Sequence, residues 1–224
     1  VLCQGVYTLL DDVIKYFPSP ENRKCAGVDM KTNEIFEANY DFSKAKSAVV
    51  WKTIVDPFIG KYSLIKVNSG GLKPDDMIYN FDKDVEMKAG KLYVMQGNKA
   101  IEVPELHAGD IGAISKLTAA RTGDSLSTKQ HVIKYGKPDV SVPYTYKRYN
   151  AVNKGDIDKI SQSLQKIMHE DLTLKVVNDS ENRQTLLYGM GDLHLDVVAS
   201  RLKNEYKVEI EMAEPKVAFR ETIR

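Results

Sequence analysis

Cysteine, histidine and tryptophan are scarce in this chain: two, four and one among 224 residues. Cys3 and Cys25 have no close pair, which argues against a disulfide framework and fits a reducing compartment. The histidines, at 107, 131, 169 and 194, are scattered, and His194 has no second ligand at a helical spacing such as H-x-x-x-H, so no metal site is expected. Long apolar runs are missing too. Nothing approaches the length of a bilayer span, and the opening VLCQGVYTLL is too short and too soon followed by acids for a signal peptide. No G-x-x-x-x-G-K-[ST] occurs anywhere, and no Ser-His-Asp or Cys-His arrangement can be assembled. Charge of one sign is also lacking. The net value of +1 neither requires nor forbids a nucleic-acid partner, because a local patch can be hidden in the sum. These absences point to a soluble cytoplasmic protein with no membrane partner, no metal and no evident catalytic machinery, and the chain is expected to be a monomer.

What is present suffices for one large domain or two ordinary ones, at 42% hydrophobic and 28% charged residues. The chain reads in four parts. In TLLDDVIKYFPSP, Leu9, Leu10, Val13, Ile14 and Phe17 keep helical spacing until Pro18 and Pro20 stop the helix. Residues 21–46 are polar and aperiodic and read as an extended linker, so the helix before them needs a dock elsewhere. Residues 47–135 hold short β-branched or aromatic runs (AVVWKTIV, YSLIKV, MIYNF, KLYVM, DIGAISKL, HVIKY) parted by turn clusters such as DPFIG, NSGGLKPDD and RTGD. Many short strands without intervening helices predict a small closed barrel, with Gly70, Gly71 and Gly123 serving tight turns.

Residues 137–213 change grammar. DVSVPYTYKR is a strand. A helix follows with Ile157, Ile160, Leu164, Ile167 and Met168 on one face. TLKVVND and QTLLYGM are strands around SENR; DLHLDVVASRLKNEY is a helix aligned on Leu195, Val198, Leu202 and Tyr206; KVEIEM is a last strand. The order βαββαβ is the split ferredoxin-like arrangement. Residues 214–224, EPKVAFRETIR, begin another strand, and the chain looks cut at both ends. The fold class is therefore α+β and multidomain, a β-barrel followed by a ferredoxin-like domain.

Two motifs invite a nucleotide reading, and neither sustains it. GMGDLH has two glycines before a helix, but Asp192 and Asp196 stand where a phosphate would be repelled. A structural joint fits better, with Gly191 permitting the turn and Asp192 capping the helix. NKGD, residues 153–156, matches the guanine-reading N-K-x-D, but it follows a polar stretch and opens a helix, where Asp156 is a natural N-cap. His194 reads as a partly exposed helix residue or as part of an interface.

Several long stretches resemble translation elongation factor G. DPFIGKYSLIKVNSGGLKPDDMIYN and HAGDIGAISKLTAARTGDSL are similar to the opening and end of its second domain. QTLLYGMGDLHLDVVASRLKNEYKVEIEMAEPKVAFRETI resembles its third domain running into the fourth, and LLDDVIKYFPSP resembles the last helix of its GTPase domain. The resemblance implies domains at 1–46 (end of the GTPase domain and linker), 47–135 (domain II barrel), 137–213 (domain III) and 214–224 (start of domain IV). It implies a ribosome-binding middle fragment coupling GTP state to domain movement during translocation of tRNA and mRNA. GTP and Mg would belong to the parent, a GTPase, and this chain would neither bind nor hydrolyse GTP, since VLCQGVY lacks the family's Ser-Ala guanine-contact loop.

By motif match Asp171, Thr173, Gly189, Gly191, Leu193, His194 and Arg201 fall on the side facing the GTPase domain, the ribosome and the inhibitor fusidic acid. The barrel would rest on small-subunit ribosomal RNA and protein, with Lys61, Lys66, Lys73 and Arg121 as contact candidates beside the plainer reading of solvated surface. The chain departs from the family at Leu172 (commonly proline), Leu174 (commonly phenylalanine), Asp192 (usually glutamate) and Phe219 (usually tyrosine). The departures suggest a divergent paralogue. They leave open whether the parent translocates, recycles ribosomes or does something related; separate alternatives are a ribosomal-protection parent, a free-standing RNA-binding adaptor, and a hydrolase that depends on His194.

Overall fold

In the computed structural model of the chain, residues 4–19, 24–56, 60–97, 99–219 and 221–222 are described. Pro20, Cys3 and most of the DPFIG turn lie outside them. The chain divides into two compact units, Val1–Lys52 with Phe58–Lys137, and Thr53–Pro57 with Pro138–Arg224.

The first unit opens with α1 (Val6–Tyr16), which ends at Phe17 in an extended conformation, as the residue before a proline must. None of its residues is buried: Leu9, Leu10 and Ile14 all stay exposed. Residues 21–46, expected as a linker, instead contain a hairpin, β1 (Ala26–Asp29) and β2 (Ile35–Glu37), joined in a three-stranded sheet by β13 (Ile133–Lys134). Asn33 supplies the positive φ, 57°, of the connecting turn. Strands this short have too few alternations to be visible as a period.

The remaining strands are β3 (Ser47–Asp56), β4 (Gly60–Ser69), β5 (Gly71–Leu72), β6 (Met77–Asn80), β7 (Val85–Lys88), β8 (Leu92–Gln96), β9 (Lys99–Val103), β10 (Leu106–His107), β11 (Ile111–Ser115) and β12 (Ser125–Ser127). Eight pair in the order β7-β6-β12-β3-β4-β11-β8-β9. Among the described residues no ladder joins β7 to β9, so the barrel is curled rather than hydrogen-bonded shut. Curling is required by packing: Ile78, Leu126, Val50, Ile65, Ile114 and Leu92, from six of these strands, share one core. Gly70 has φ 70°, and a Cβ there would lie 2.9 Å from the Cα of Lys46, so only glycine fits this turn. Burial is not all apolar. Ser47 Oγ lies 2.5 Å from Ser69 Oγ and 2.6 Å from the Tyr135 hydroxyl, whose pKa burial pushes up to about 12.

The second unit is built from β14 (Thr145–Ala151), α2 (Ile157–Glu170), β15 (Lys175–Asp179), β16 (Gln184–Gly189), α3 (Asp192–Asn204) and β17 (Ile210–Ala213). The sheet order β15-β16-β14-β17, antiparallel throughout, is the ferredoxin-like arrangement. Ile160, Leu164 and Ile167 of α2 meet Leu195, Val198 and Leu202 of α3 over Leu187, Val176 and Ile210 of the sheet. Three sequence expectations change here. Ile157 is 58% exposed, because it lies in the first turn, ahead of the buried stripe. β14 starts at Thr145, after Pro143, rather than at Asp139. Residues 214–219 form no strand; they are held instead by Gln184, whose side-chain amide donates to the Lys216 carbonyl at 2.9 Å and accepts from the Lys216 amide at 2.8 Å.

Candidate functional site: a strand-to-helix joint

β16 ends at Gly189 and α3 begins at Asp192, so the chain reverses over Met190 and Gly191. The first turn of α3 has backbone N–H groups without helical acceptors. Gly191, not Asp192, occupies the N-cap, and no side chain caps it. Asp192 sits inside the first turn, where its charge still suits the positive end of the helix, and its carboxylate pairs with Lys147 at 3.0 Å. Gly191 has open space where a Cβ would stand. Gly189 does not: a Cβ there would lie 2.8 Å from Leu195 Cδ2 and 3.0 Å from His194 Nδ1. The glycine that the joint needs is therefore Gly189.

His194 holds the turn from inside. The Met190 amide donates to its Nδ1 at 3.0 Å, and its Nε2 lies 2.9 Å from Asp171 Oδ2. An Nδ1 that accepts a proton donor must be bare, so the neutral ring carries its hydrogen on Nε2 and donates to Asp171. Both ring nitrogens are thus committed, and neither is free to act as a base or to bind a metal.

Asp171 is the C-cap of α2, and its other carboxylate oxygen accepts from the Thr173 hydroxyl at 2.6 Å and the Thr173 amide at 2.8 Å. Burial by itself would raise this carboxyl, but the two bonds from Thr173, with His194, hold it below the ordinary aspartate value. A carboxyl depressed in the folded state adds stability that is present above the unfolded value of about 3.9 and is lost as pH falls through the lower folded value. Asp171→Asn is therefore expected to lower the urea midpoint at neutral pH, with the gap from wild type narrowing as pH falls below the ordinary aspartate value. A gap that persists unchanged in acid would contradict this.

Thus Asp171, Thr173, Gly189 and His194 come together, with Met190 and Lys147 added by the fold. Leu193 is separate, 78% exposed on the outer side of α3, one turn from exposed Val197. Arg201 lies further along α3, between Glu205 at 3.1 Å and Glu170 at 2.7 Å. Its bonds to Glu205, and after them Glu170, hold the guanidinium charged against the opposing effect of burial. The two letters of N-K-x-D that carry its chemistry face each other, Asn153 Nδ2 to Asp156 Oδ2 at 3.4 Å, and Asp156 stands at the N-cap of α2 without a side-chain capping bond.

In the first unit, the cationic candidates have different surroundings. Lys61 is half-buried and donates to the Ala120 carbonyl; burial, then neighbouring Arg121, lowers its ammonium pKa. Lys66 lies over the Tyr40 ring, 4.7 Å from its centroid. Lys73 is exposed and stands 3.7 Å from Glu105, and Arg121 is exposed. Among the described residues no group of three His, Cys, Asp or Glu could hold a metal, and no helix is long and apolar enough to cross a membrane.

Residues 45–129 match the family described as elongation factor G domain 2, and residues 140–214 the family described as elongation factor G, domain III. A crystal structure of a protein from Thermus thermophilus is similar over 95% of this chain, with TM-score 0.71 and 27% identity. This chain spans 30% of that protein's length.

Proposed function

Because the chain belongs to the elongation factor G family, in its domains II and III, we propose that it is the ribosome-binding middle of a translational GTPase. In this reading GTP and Mg are handled by a GTPase domain of the parent, and this chain carries no nucleotide, cofactor or metal of its own. Its task in the cytoplasm is mechanical. The barrel rests on small-subunit ribosomal RNA through exposed cations such as Lys73 and Arg121. The joint of the ferredoxin-like unit passes the nucleotide state on as a change of domain orientation during translocation.

The observation that carries this reading is the double commitment of His194. A joint whose histidine is locked between the Met190 amide and Asp171 is built to hold a shape, and the exposed Leu193 beside it offers that shape to a partner. The test is co-sedimentation of the full chain with vacant ribosomes over a salt series. Binding is expected at low salt, fading as salt rises, because phosphate contacts release counterions. Lys73→Glu should weaken it and flatten the salt dependence, and Leu193→Asp should weaken it at every salt. No sedimentation of the folded chain at low salt would overturn the proposal that these two domains anchor to the ribosome.

A further inference from the structure

The ferredoxin-like sheet has a second face, and the joint does not use it. Alternate residues of a strand point to opposite faces. Tyr149 and Ala151 of β14, Leu187 of β16 and Val176 of β15 pack toward the helices. Tyr146 and Arg148, Leu186 and Tyr188, and Lys175 and Val177 therefore face away. On this outer face Tyr146 of β14 is directly opposite Tyr188 of β16, and Tyr188 is directly opposite Lys175 of β15. The two tyrosines thus stand side by side on the two central strands, with a lysine next in the row.

Their rings are stacked, 4.8 Å between centroids and 24° between planes. Each ring gives one face to its neighbour. Tyr146 is still 42% exposed, and Tyr144, just ahead of the strand, is 71% exposed. The far end of the same face is already occupied, since Gln184 is bonded there to the Lys216 backbone. Charge separates the two ends as well. Asp179 pairs in register with Gln184 at the occupied end, and its carboxylate takes bonds from Asn182 and Gln184. The row holding the tyrosines carries a cation and no acid.

We propose that this end of the outer face binds single-stranded RNA, with an unpaired base stacked on the Tyr146–Tyr188 pair and the adjoining phosphate met by Lys175. The chemistry is general: any base offers a π-face, so a stack of rings on the central strands of an open sheet, flanked by a cation, takes unpaired nucleotides with little sequence preference. A cross-strand tyrosine pair kept only for sheet stability would need no exposed cation in its row and no exposed ring such as that of Tyr146. The surface is distinct from the joint and does not depend on the ribosome reading.

The test is fluorescence anisotropy of a labelled short oligouridine titrated with the full chain at low salt, with a duplex of equal length as control. Wild type is expected to bind the single strand. Tyr146→Ala and Tyr188→Ala should each weaken binding by about tenfold or more, with Tyr146→Phe close to wild type. Lys175→Glu, an exposed change that leaves the core alone, should weaken binding and reduce its salt dependence. If the alanine variants unfold, the lysine and phenylalanine variants still decide. Wild-type binding in both Tyr146→Ala and Lys175→Glu, or no binding by the folded parent, would sink the proposal. If these variants spare the oligonucleotide but weaken ribosome sedimentation, the face docks protein and the proposal is equally overturned. The titration contains no ribosome, so its failure and that of the ribosome reading are separately visible.

Discussion

Leu187→Ala is expected to lower the stability of the ferredoxin-like unit by about 3 kcal/mol, within the range for deleting a fully buried leucine and leaving its cavity. Leu187 is 0% exposed on central strand β16 and packs in one core with Ile160 and Leu164 of α2 and Leu195 and Val198 of α3. Its loss removes contacts to both helices at once, so neither can close the gap alone. Urea unfolding with two probes checks it. Helical ellipticity reports mainly α2 and α3, whereas Trp51 lies in the barrel-containing unit. The ellipticity transition should move to lower urea while the Trp51 fluorescence transition stays. Equal movement of both would show that the two units unfold as one. Leu193→Ala is the control: at 78% exposed it should stay within about 0.5 kcal/mol of wild type.

Gly189→Ala should cost about 2 kcal/mol, in the range for overpacking a core, and Gly191→Ala almost nothing. The first adds a methyl group 2.8 Å from Leu195 Cδ2 and 3.0 Å from His194 Nδ1. Leu195 is 0% exposed and has nowhere to retreat, so the strain is that of an overpacked core. His194 must also shift, which weakens its bond from the Met190 amide and leaves the turn less firmly closed. At Gly191 a Cβ meets nothing, and the backbone is extended. The same urea titration measures both variants. A Gly191→Ala loss as large as that of Gly189→Ala would mean that the turn, rather than the packing beneath it, requires glycine. In the sequence the two glycines look alike, and the turn reading favours Gly191; the packing beneath Gly189 reverses the order.

The tyrosine pair shows the same limit. Tyr144, Tyr146 and Tyr188 are plain in the sequence, and alternation assigns Tyr146 to one face of its strand. That Tyr146 is opposite Tyr188 depends on the register of β14 against β16, which pairs residues far apart in the chain. Lys61, Lys66, Lys73 and Arg121 are four similar cations in the sequence, yet Lys61 is turned to a carbonyl and Lys66 covers a ring.

Patterns carried by neighbours a few residues apart were decided by the sequence alone. They include the helical stripes of α2 and α3, the run of short strands before them, the βαββαβ order, and through the long motifs the family itself. Other features needed the tertiary structure: the hairpin at 26–37 whose strands are too short to show a period, the commitment of both His194 nitrogens, the glycine that cannot change, and the face on which two tyrosines meet. The bond from His194 to Asp171 and the meeting of the two tyrosines depend on contacts between segments distant in the chain, and a local period carries no information about which distant residues will be brought together. The clash at Gly189 is with near neighbours, but it is set by how Leu195 packs in the core.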